Sequence, residues 1–226
     1  MSLSIIVPML NEEAGIEAAL QALRPLAAEI IVVDGGSTDR SVALTEPLAD
    51  RVIVAPRGRA RQMNAGAAIA SGDILLFLHA DTVLPATAGQ LVVNAIEGGA
   101  VWGRFDVRID GASSLFPLIA VLMNWRSRLT GIATGDQAIF VTRAAFRQVG
   151  GFPDQPLMED IVLSRRLCRI GRPACLRPPV ITAGRRWEKH GVLRTILHMW
   201  WLRLRYFFGA SPHDLAREYG YQPHES

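Results

Sequence analysis

Polar side chains able to bind a metal ion or a nucleotide follow three short aliphatic runs in the first half of the chain. The runs, each with the polar residues after it, are Ser4–Pro8 with Asn11, Glu12 and Glu13, Ile30–Val33 with Asp34 and Asp39, and Ile74–Leu78 with His79 and Asp81. Such runs are typical of strands buried on both faces of a parallel α/β sheet, in which ligands bind beyond the carboxyl ends of the strands. We therefore expect one crevice that binds a charged ligand together with a divalent cation.

The segment Asp34–Asp39, of sequence DGGSTD, joins the second predicted strand to a predicted helix. Its two glycines permit a tight turn and a close approach of the backbone to a ligand. Asp34 could accept hydrogen bonds from a ribose or a base, while Ser37 or Asp39 could be the N-cap of the helix. The alternative interpretation is a turn with a capping residue and no ligand.

His79 and Asp81 leave the fourth predicted strand on the same side, because they are two residues apart. They could share a metal ion or straddle a pyrophosphate. Magnesium and manganese favour carboxylate and phosphate oxygens, and a histidine shifts the preference toward manganese. A solvated loop is the alternative.

Three arginines, Arg57, Arg59 and Arg61, precede the helix predicted over Gln62–Ala70. Their charges and the helix N-terminus would together favour a diphosphate. The alternative is a solvated basic loop.

Glu159 and Asp160 open another predicted helix, Glu159–Ile170. Adjacent carboxylates repel each other, so one of them could have a raised pKa and act as a general base. Acidic residues in a first turn are also ordinary partners of the helix dipole, and the residues alone favour this second interpretation.

The order of elements predicts an α/β fold with a mostly parallel sheet flanked by helices, because strands and helices alternate up to about residue 100. Besides the three runs above, the first hundred residues predict the strand Arg51–Val54 and the helices Glu13–Leu23, Asp39–Leu44 and Ala86–Ile96. The strict alternation over Trp102–Ile109, with Arg104, Asp106 and Arg108 on one face, then predicts a half-exposed strand, antiparallel or at an edge. A helix is predicted over Leu115–Arg128 and a short strand over Ala138–Val141. We expect a single domain with a nucleotide half (1–100), a substrate half (101–183) and a helical extension (184–226).

Composition excludes several classes of protein. The 226 residues are half hydrophobic, with 24 Lys and Arg, 21 Asp and Glu and a net charge of +3, as in a globular domain with a sizeable core. No basic stripe interleaved with aromatic residues accompanies that charge, so we expect no nucleic-acid partner. Cys168 and Cys175 fit neither a zinc site nor a disulfide framework, and no signal peptide is expected before the first strand. These features favour a cytoplasmic protein, and the apolar run Leu115–Met123 is too short to span a bilayer.

The C-terminal segment predicts an amphipathic helix with a basic side. Its apolar positions at helical spacing are Leu193, Ile196, Leu197, Trp200, Leu204, Phe207 and Phe208, and its basic positions are Arg194, His198 and Arg205. Such a helix can lie in a membrane interface, here on the inner face. It could equally pack on the core or on a second subunit, as in a homodimer.

Taken in order, the motifs of the chain resemble a family 2 glycosyltransferase of the GT-A fold, from residue 3 to about residue 170. The residues that carry the resemblance are Pro8, Asn11-Glu12, Asp34–Asp39, Arg59, Asn64–Gly66, His79–Asp81, Gly150–Phe152 and Glu159-Asp160. This ordered set is far more specific than any one motif. The resemblance implies an inverting transfer of a hexosyl-type sugar from a UDP- or GDP-sugar to an unidentified acceptor, assisted by Mg²⁺ or Mn²⁺.

The resemblance also implies roles for individual residues. Asp81 would bind the metal ion and Asp160, with Glu159 beside it, would deprotonate the acceptor hydroxyl. The predicted donor contacts are Pro8, Asn11, Glu12, Asp34, Gly36, Ser37, Arg59, Arg61 and Asn64, and a weaker likeness to an Arg-Trp motif adds Arg186 and Trp187.

One position departs from the family pattern. The usual Asp-x-Asp is here His79-Ala80-Asp81. Either His79 coordinates the metal ion, or Asp81 and the donor phosphates hold it alone.

Two other classes of function remain open at this point. A nucleotide-sugar binding or regulatory module without turnover would account for the missing aspartate at position 79. A nucleotidyltransferase would require a glycine-rich basic loop after the first strand, where this chain has Asn11-Glu12-Glu13, so this alternative ranks last.

Overall fold

The computed structural model describes residues 1–184, 187–188 and 191–221. The strands are β1 Leu3–Met9, β2 Glu29–Asp34, β3 Arg51–Val54, β4 Ile74–Phe77, β5 Thr82–Val83, β6 Trp102–Asp110, β7 Phe140–Thr142 and β8 Ala174–Ala183. The α-helices are α1 Ile16–Leu23, α2 Ser41–Thr45, α3 Arg59–Ile69, α4 Ala88–Glu97, α5 Phe116–Thr130, α6 Arg143–Gln148, α7 Glu159–Cys168, α8 Val192–Phe207 and α9 Pro212–Glu218.

Within these residues the strands form one eight-stranded sheet in the order β3-β2-β1-β4-β7-β6-β8-β5. Only β5 and β7 run against the other strands of this sheet. The predicted α/β fold with a mostly parallel sheet flanked by helices is therefore confirmed. The same sheet passes through both predicted halves of the chain, and the division into halves stays a prediction.

Two apolar cores cover the two faces of the sheet, because alternate residues of a strand point to opposite faces. Ile5 and Val7 of β1 pack with α1 and α4 on one face, whereas Ile6 packs with α3, α6 and α7 on the other. The aliphatic runs are thus buried on both faces, as the sequence predicts. Both cysteines, Cys168 and Cys175, are free thiols.

The strand β6 differs from the prediction. It lies inside the sheet, antiparallel to β7 and parallel to β8, so the predicted edge position is wrong while the antiparallel pairing is confirmed. Of its charged side chains Arg108 and Asp110 are exposed, whereas Arg104 is fully buried beneath α5. The guanidinium of Arg104 is paired with Asp106 and donates to the carbonyl of Asn124, which makes its burial tolerable.

Three elements are absent from the sequence-based prediction. The strand β8 contains Pro178 and Pro179, which argue against a strand. It forms nonetheless because its pairing with β6 shifts register between Phe105 and Val107, next to the prolines. The strand β5 has two residues and α6 has six, both too short for a periodic signal.

Gln62 links the ends of the two strands that carry the predicted site. Its buried amide Nε2 donates to the carbonyl oxygens of Met9 and Val33, each at 2.8 Å. An added Cβ on Gly35 would lie 3.1–3.2 Å from this amide, so the turn after β2 passes close against it. The packing of α3 therefore sets the spacing between the ends of β1 and β2.

Replacing Gln62 with alanine should lower the free energy of unfolding by about 1–3 kcal/mol, because two buried carbonyls lose a donor. The measurement is urea unfolding. The matched control is Gln90→Ala, since Gln90 is exposed on α4 and its amide bonds only to Asn94 among the contacts described, so its removal should cost less than about 0.5 kcal/mol. Equal effects of the two substitutions would contradict the linking role of Gln62.

Candidate active site

The crevice opens at the carboxyl ends of β1 and β4. At this point the strand order reverses, because β2 lies on one side of β1 and β4 lies on the other. Pro8 lies here, in a central strand where proline is rare. It is accommodated because the pairing of β1 with β4 ends at Ile6 and Phe77, so Pro8 lies beyond the last pair on that side.

Asp34 ends β2 with its carboxylate buried inside its own turn. It accepts hydrogen bonds from the backbone of Gly36 at 2.9 Å and of Ser37 at 3.0 Å, and from the Ser37 hydroxyl at 2.5 Å. Gly36 has φ +92°, a conformation that favours glycine. The Ser37 hydroxyl thus bonds to Asp34 within the turn. The predicted N-cap at Ser37 or Asp39 is wrong, because the N-cap of α2 is Arg40.

The loops after β1 and β2 are joined by hydrogen bonds. Asn11, with φ 53°, accepts from the backbone of Thr38 at 2.9 Å, and its own N–H donates to Ser37. The N–H of Glu12 donates to the hydroxyl of Ser41 at 2.7 Å. The helix α1 consequently begins at Ile16 rather than at the predicted Glu13, because residues 11–15 belong to this joined pair of loops. Pro8, Asn11, Glu12 and Asp34 therefore lie together at one end of the sheet.

Glu159 and Asp160 begin α7 beside a small cavity. The residues that line this cavity are Met63, Phe77, His79, Gly135, Ile139, Phe152, Glu159 and Asp160. One carboxylate oxygen of Asp160 accepts from the N–H of Gly135 at 2.9 Å and the other from the N–H of Ile161 at 2.7 Å. An added Cβ on Gly135 would lie 2.5 Å from Nε2 of His79, so the imidazole sits directly against this turn. The structure thus brings His79 and the acid pair to one cavity.

Burial shifts the proton affinity of these groups. Glu159 is 6% exposed, and its burial together with the charge of Asp160 raises its pKa to about 7. Burial also raises the pKa of Asp160, opposed by the N–H groups of Gly135 and Ile161. Burial and the neighbouring charge of Arg59 lower the pKa of His79 to about 3, so its imidazole is neutral at physiological pH.

Arg59 is the first residue of α3. Burial opposes its charge, but Glu159, Tyr219, Asp81 and Asp160 outweigh burial and raise its pKa. The residue is exposed to solvent although protein groups surround it, which is the situation of a cation in a cleft. Arg59 therefore interacts electrostatically with Asp81 and the acid pair, and its role in donor binding stays a prediction.

Asp136 and Arg126 are two site residues that the sequence analysis did not identify. Burial raises the pKa of Asp136, whose carboxylate accepts from the hydroxyl of Thr134 at 2.5 Å. Burial lowers the pKa of Arg126, opposed by the charges of Asp136 and Asp160. Within the part of the chain that the structure describes, Nε and Nη2 of Arg126 are buried and have no hydrogen-bond partner. The sequence feature next to Asp136 that could have indicated this turn is the capping box formed by Thr134 and Gln137.

The remaining predicted donor contacts have structural partners. Arg61 points away from Arg59 and pairs with Asp154 at 2.8 Å. The amide of Asn64 exchanges two hydrogen bonds with the backbone of Phe152, at 2.9 and 3.0 Å, which holds the loop before α7. The roles of Arg61 and Asn64 in donor binding stay predictions.

The predicted Arg-Trp pair is only half described. Trp187 packs, partly buried, against Phe116 and Ile119 of α5. Arg186 lies outside the described residues.

A divalent cation fits this site only together with a ligand. Within residues 1–184, 187–188 and 191–221, no three His, Cys, Asp or Glu side chains are grouped to hold a metal ion. Asp81 is exposed at the crevice, and one carboxylate plus substrate phosphates is an ordinary magnesium environment. The residues present are therefore compatible with a cation bound by Asp81 and the phosphates of the sugar donor. Coordination of the cation by His79 stays a prediction.

Replacing Glu159 with glutamine should stabilise the fold above neutral pH. Its pKa rises from 4.5 to about 7 on folding, so the stability that the protonated carboxyl contributes is complete below about pH 4.5 and is lost as pH rises toward 7. Glutamine stays neutral, and we expect a gain on the order of 1–3 kcal/mol at about pH 8 and little gain near pH 4.5. Urea unfolding at both pH values measures it.

The exposed Glu46 supplies the control, since Glu46→Gln should change stability by less than about 0.5 kcal/mol at either pH. A loss of stability in Glu159→Gln at the higher pH would mean that Glu159 is ionised and paired in the folded chain.

Comparison with protein families matches residues 4–149 to the family described as Glycosyl transferase family 2. The probable glycosyltransferase YdaM of Bacillus subtilis is 28% identical over 215 residues, which cover 82% of this chain and 50% of that protein. Glucosyl-3-phosphoglycerate synthase of Mycobacterium tuberculosis is 33% identical over 97 residues, which cover 37% of this chain and 30% of that protein. The chain thus spans half or less of the length of these relatives.

Solved structures of similar fold include the mannosyltransferase PcManGT from Pyrobaculum calidifontis in complex with GDP-Man and Mn²⁺. It has a TM-score of 0.59 and 25% identity, covering 80% of this chain and 56% of that one. Glucosyl-3-phosphoglycerate synthase from Mycobacterium tuberculosis in complex with Mn²⁺ and UDP-Glc has a TM-score of 0.59 and 23% identity, covering 79% and 69%. These likenesses confirm the predicted GT-A fold. Because the family match extends over more than half of its residues, the chain belongs to glycosyltransferase family 2.

Proposed function

We propose that this protein transfers a sugar from a nucleoside diphosphate sugar to an acceptor hydroxyl, with inversion, and that Asp160 is the general base. The observation that carries the proposal is the position of Asp160. Its half-buried carboxylate borders a cavity at the carboxyl end of β4, with Arg59 and Asp81 close enough to interact electrostatically with the same cluster. A family 2 glycosyltransferase needs an anion-binding group and a proton acceptor in one cleft, and this arrangement supplies both.

The donor would lie with its nucleoside at the joined loops and its diphosphate toward α3. Asn11 and Asp34 border the first region, while Arg59 at the start of α3 borders the second. The fixed hydrogen bonds between the loops support a preformed nucleoside site. The solved relatives were captured with GDP-Man or with UDP-Glc, each with Mn²⁺, and we extend to this chain the common chemistry of a nucleoside diphosphate hexose.

The transfer would be a single displacement. The acceptor oxygen forms a bond to the anomeric carbon as that carbon loses its bond to the diphosphate, and the hydroxyl proton passes to the carboxylate of Asp160. Negative charge develops on the leaving diphosphate, where the guanidinium of Arg59 can stabilise it. A bound divalent cation, held by Asp81 and the phosphates, would neutralise part of the same charge.

Asp160 suits the role of base better than Glu159. Glu159 is buried and its pKa is raised to about 7, so a large part of it is protonated near neutral pH. Asp160 is more accessible, and the N–H groups of Gly135 and Ile161 stabilise its ionised form. Glu159 then holds a proton beside the base and limits the number of negative charges in the cleft.

Asp160→Asn should lower the transfer rate by roughly 10²-fold or more while leaving donor affinity unchanged, because the variant keeps the size of the side chain but cannot accept the proton. Steady-state transfer and donor hydrolysis, together with calorimetric binding of the donor, measure the two effects. Glu159→Gln should lower the rate less.

Asp214→Asn is the matched control, since Asp214 is also in the first turn of a helix but is exposed on α9. If Asp160→Asn kept near-full transfer and Glu159→Gln lost it, the base would be the other member of the pair. Absence of transfer and of donor hydrolysis in the unaltered protein would favour a nucleotide-sugar binding module, the alternative raised by His79 in place of an aspartate.

Asp81→Ala should abolish the part of nucleoside diphosphate binding that depends on Mg²⁺ or Mn²⁺, because it removes the exposed carboxylate proposed to bind the cation. His79→Ala should weaken that part without abolishing it. Titration of UDP and of GDP with either cation or with a chelator measures both variants, and Asp214→Ala should bind like the unaltered protein. Unchanged metal dependence in Asp81→Ala would remove Asp81 from the cation site.

A further inference from the structure

Two helices turn large apolar side chains toward solvent. The exposed apolar residues are Leu115, Leu118, Val121, Leu122, Trp125 and Leu129 on and before α5, and Leu193, Leu197, Trp200, Trp201, Leu204, Phe207 and Phe208 on and after α8. Trp125 is 65% exposed and Trp200 is 68% exposed. Together we call these residues the α5–α8 patch. Apolar surface of this extent is unusual on a soluble monomer and marks an interaction site.

Side chains of the two helices meet in one apolar cluster. Ile119 and Met123 of α5 share one apolar cluster with Val192 and Ile196 of α8. The buried side of α8 is formed by Thr195 and Leu202, a different face from the apolar stripe that the sequence predicts. Apart from Ile196, that stripe therefore does not pack on the core of this chain.

The charges of the two helices are of one sign. Neither α5 nor α8 contains an aspartate or glutamate, whereas together they contain Arg126, Arg128, Arg194, Arg203 and Arg205. Arg128 and Arg205 are paired with Asp106 and Glu218 from other elements. Arg194 is exposed beside the apolar stripe.

We propose that the α5–α8 patch binds an anionic membrane surface. Tryptophan and phenylalanine are suited to the interface between headgroups and acyl chains, and basic residues at its border are attracted to anionic lipids. No helix within the described residues is long and apolar enough to cross a bilayer, so contact is with the surface. A second copy is the weaker occupant, because a two-fold interface places the same surface on itself, and neither α5 nor α8 contains a carboxylate that could pair with the exposed Arg194.

The patch lies one helix away from the acid pair. Leu202 on the inner side of α8 packs with Met158 and Ile161, the neighbours of Glu159 and Asp160. The inner side of α5 carries Arg126, whose charge interacts with Asp160. Membrane binding at the patch would thus take place next to the acid pair. The inference does not depend on the proposed sugar transfer.

The test is co-sedimentation with vesicles of phosphatidylcholine alone and of equal parts phosphatidylcholine and phosphatidylglycerol. We expect binding to the anionic vesicles, weakened by salt, with a blue shift of tryptophan fluorescence. Trp200→Ser and Trp125→Ser should each weaken partitioning by at least about tenfold. Arg194→Gln should weaken it about fivefold, the effect of one basic residue near an anionic surface.

Val54→Ser and Arg147→Gln are the controls. Val54 is 74% exposed at the far edge of the sheet, and Arg147 is exposed on α6, which covers the other face. Both should partition like the unaltered protein. Absence of binding to anionic vesicles, or equal losses in the control variants, would overturn the proposal. So would a dimer in sedimentation equilibrium that Trp200→Ser dissociates, if vesicles are not bound.

Discussion

Burial of the pair Glu159 and Asp160 is the constraint on which the rest of the site depends, because an ionised carboxylate is costly to remove from water. Glu159 is 6% exposed at the start of α7, beside a cavity that is also lined by Met63 of α3 and Phe77 of β4. The two acids respond differently. Burial and the charge of Asp160 raise the pKa of Glu159 to about 7. Burial also raises the pKa of Asp160, but hydrogen bonds from two backbone N–H groups oppose this rise by stabilising the ionised carboxylate. Two adjacent residues of nearly equal chemistry thereby acquire different protonation tendencies.

The turn that compensates Asp160 is itself held by close contacts. Gly135 supplies the N–H and lies against the imidazole of His79, where a larger residue would collide. The loop before α7 is held in the same way, since an added Cβ on Gly151 would lie 2.8 Å from the side chain of Asn64. His79 is neutral in this arrangement because burial lowers the pKa of its imidazole and the positive charge of Arg59 lowers it further. The neutral imidazole of His79 therefore lines the cavity in a fixed position, independently of any binding to a metal ion.

The sequence predicts the first half of the fold well, because buried parallel strands leave uninterrupted aliphatic runs that are independent of the rest of the chain. It fails at β8, where Pro178 and Pro179 are tolerated only through the register shift against β6. The burial of Arg104 is also unpredictable, because it depends on α5 lying over β6 and on a pairing with Asp106. Local alternation cannot show whether a helix will cover an apparently exposed face.

The candidate site divides in the same way. Asp34 and Asp81 are identifiable because they directly follow buried strands, and Asp160 is identifiable through the ordered family motifs. Gln62 and Arg126 are not, because the role of each depends on groups far away in sequence. Gln62 bonds to carbonyls 53 and 29 residues away, and nothing in its helix reports them.

The outward direction of the apolar stripe on α5 follows from how the helix is fixed to the sheet. Asn124 accepts from the N–H of Val107 at 2.8 Å and donates to its carbonyl at 3.0 Å. These two bonds set the rotation of α5 about its axis, and at helical spacing Leu118, Val121 and Trp125 must then face away from the sheet. Rotating the stripe inward would leave both backbone groups of Val107 without partners, at a cost of about 1–3 kcal/mol each. The apolar face of α5 therefore cannot be buried by a small rotation of this helix.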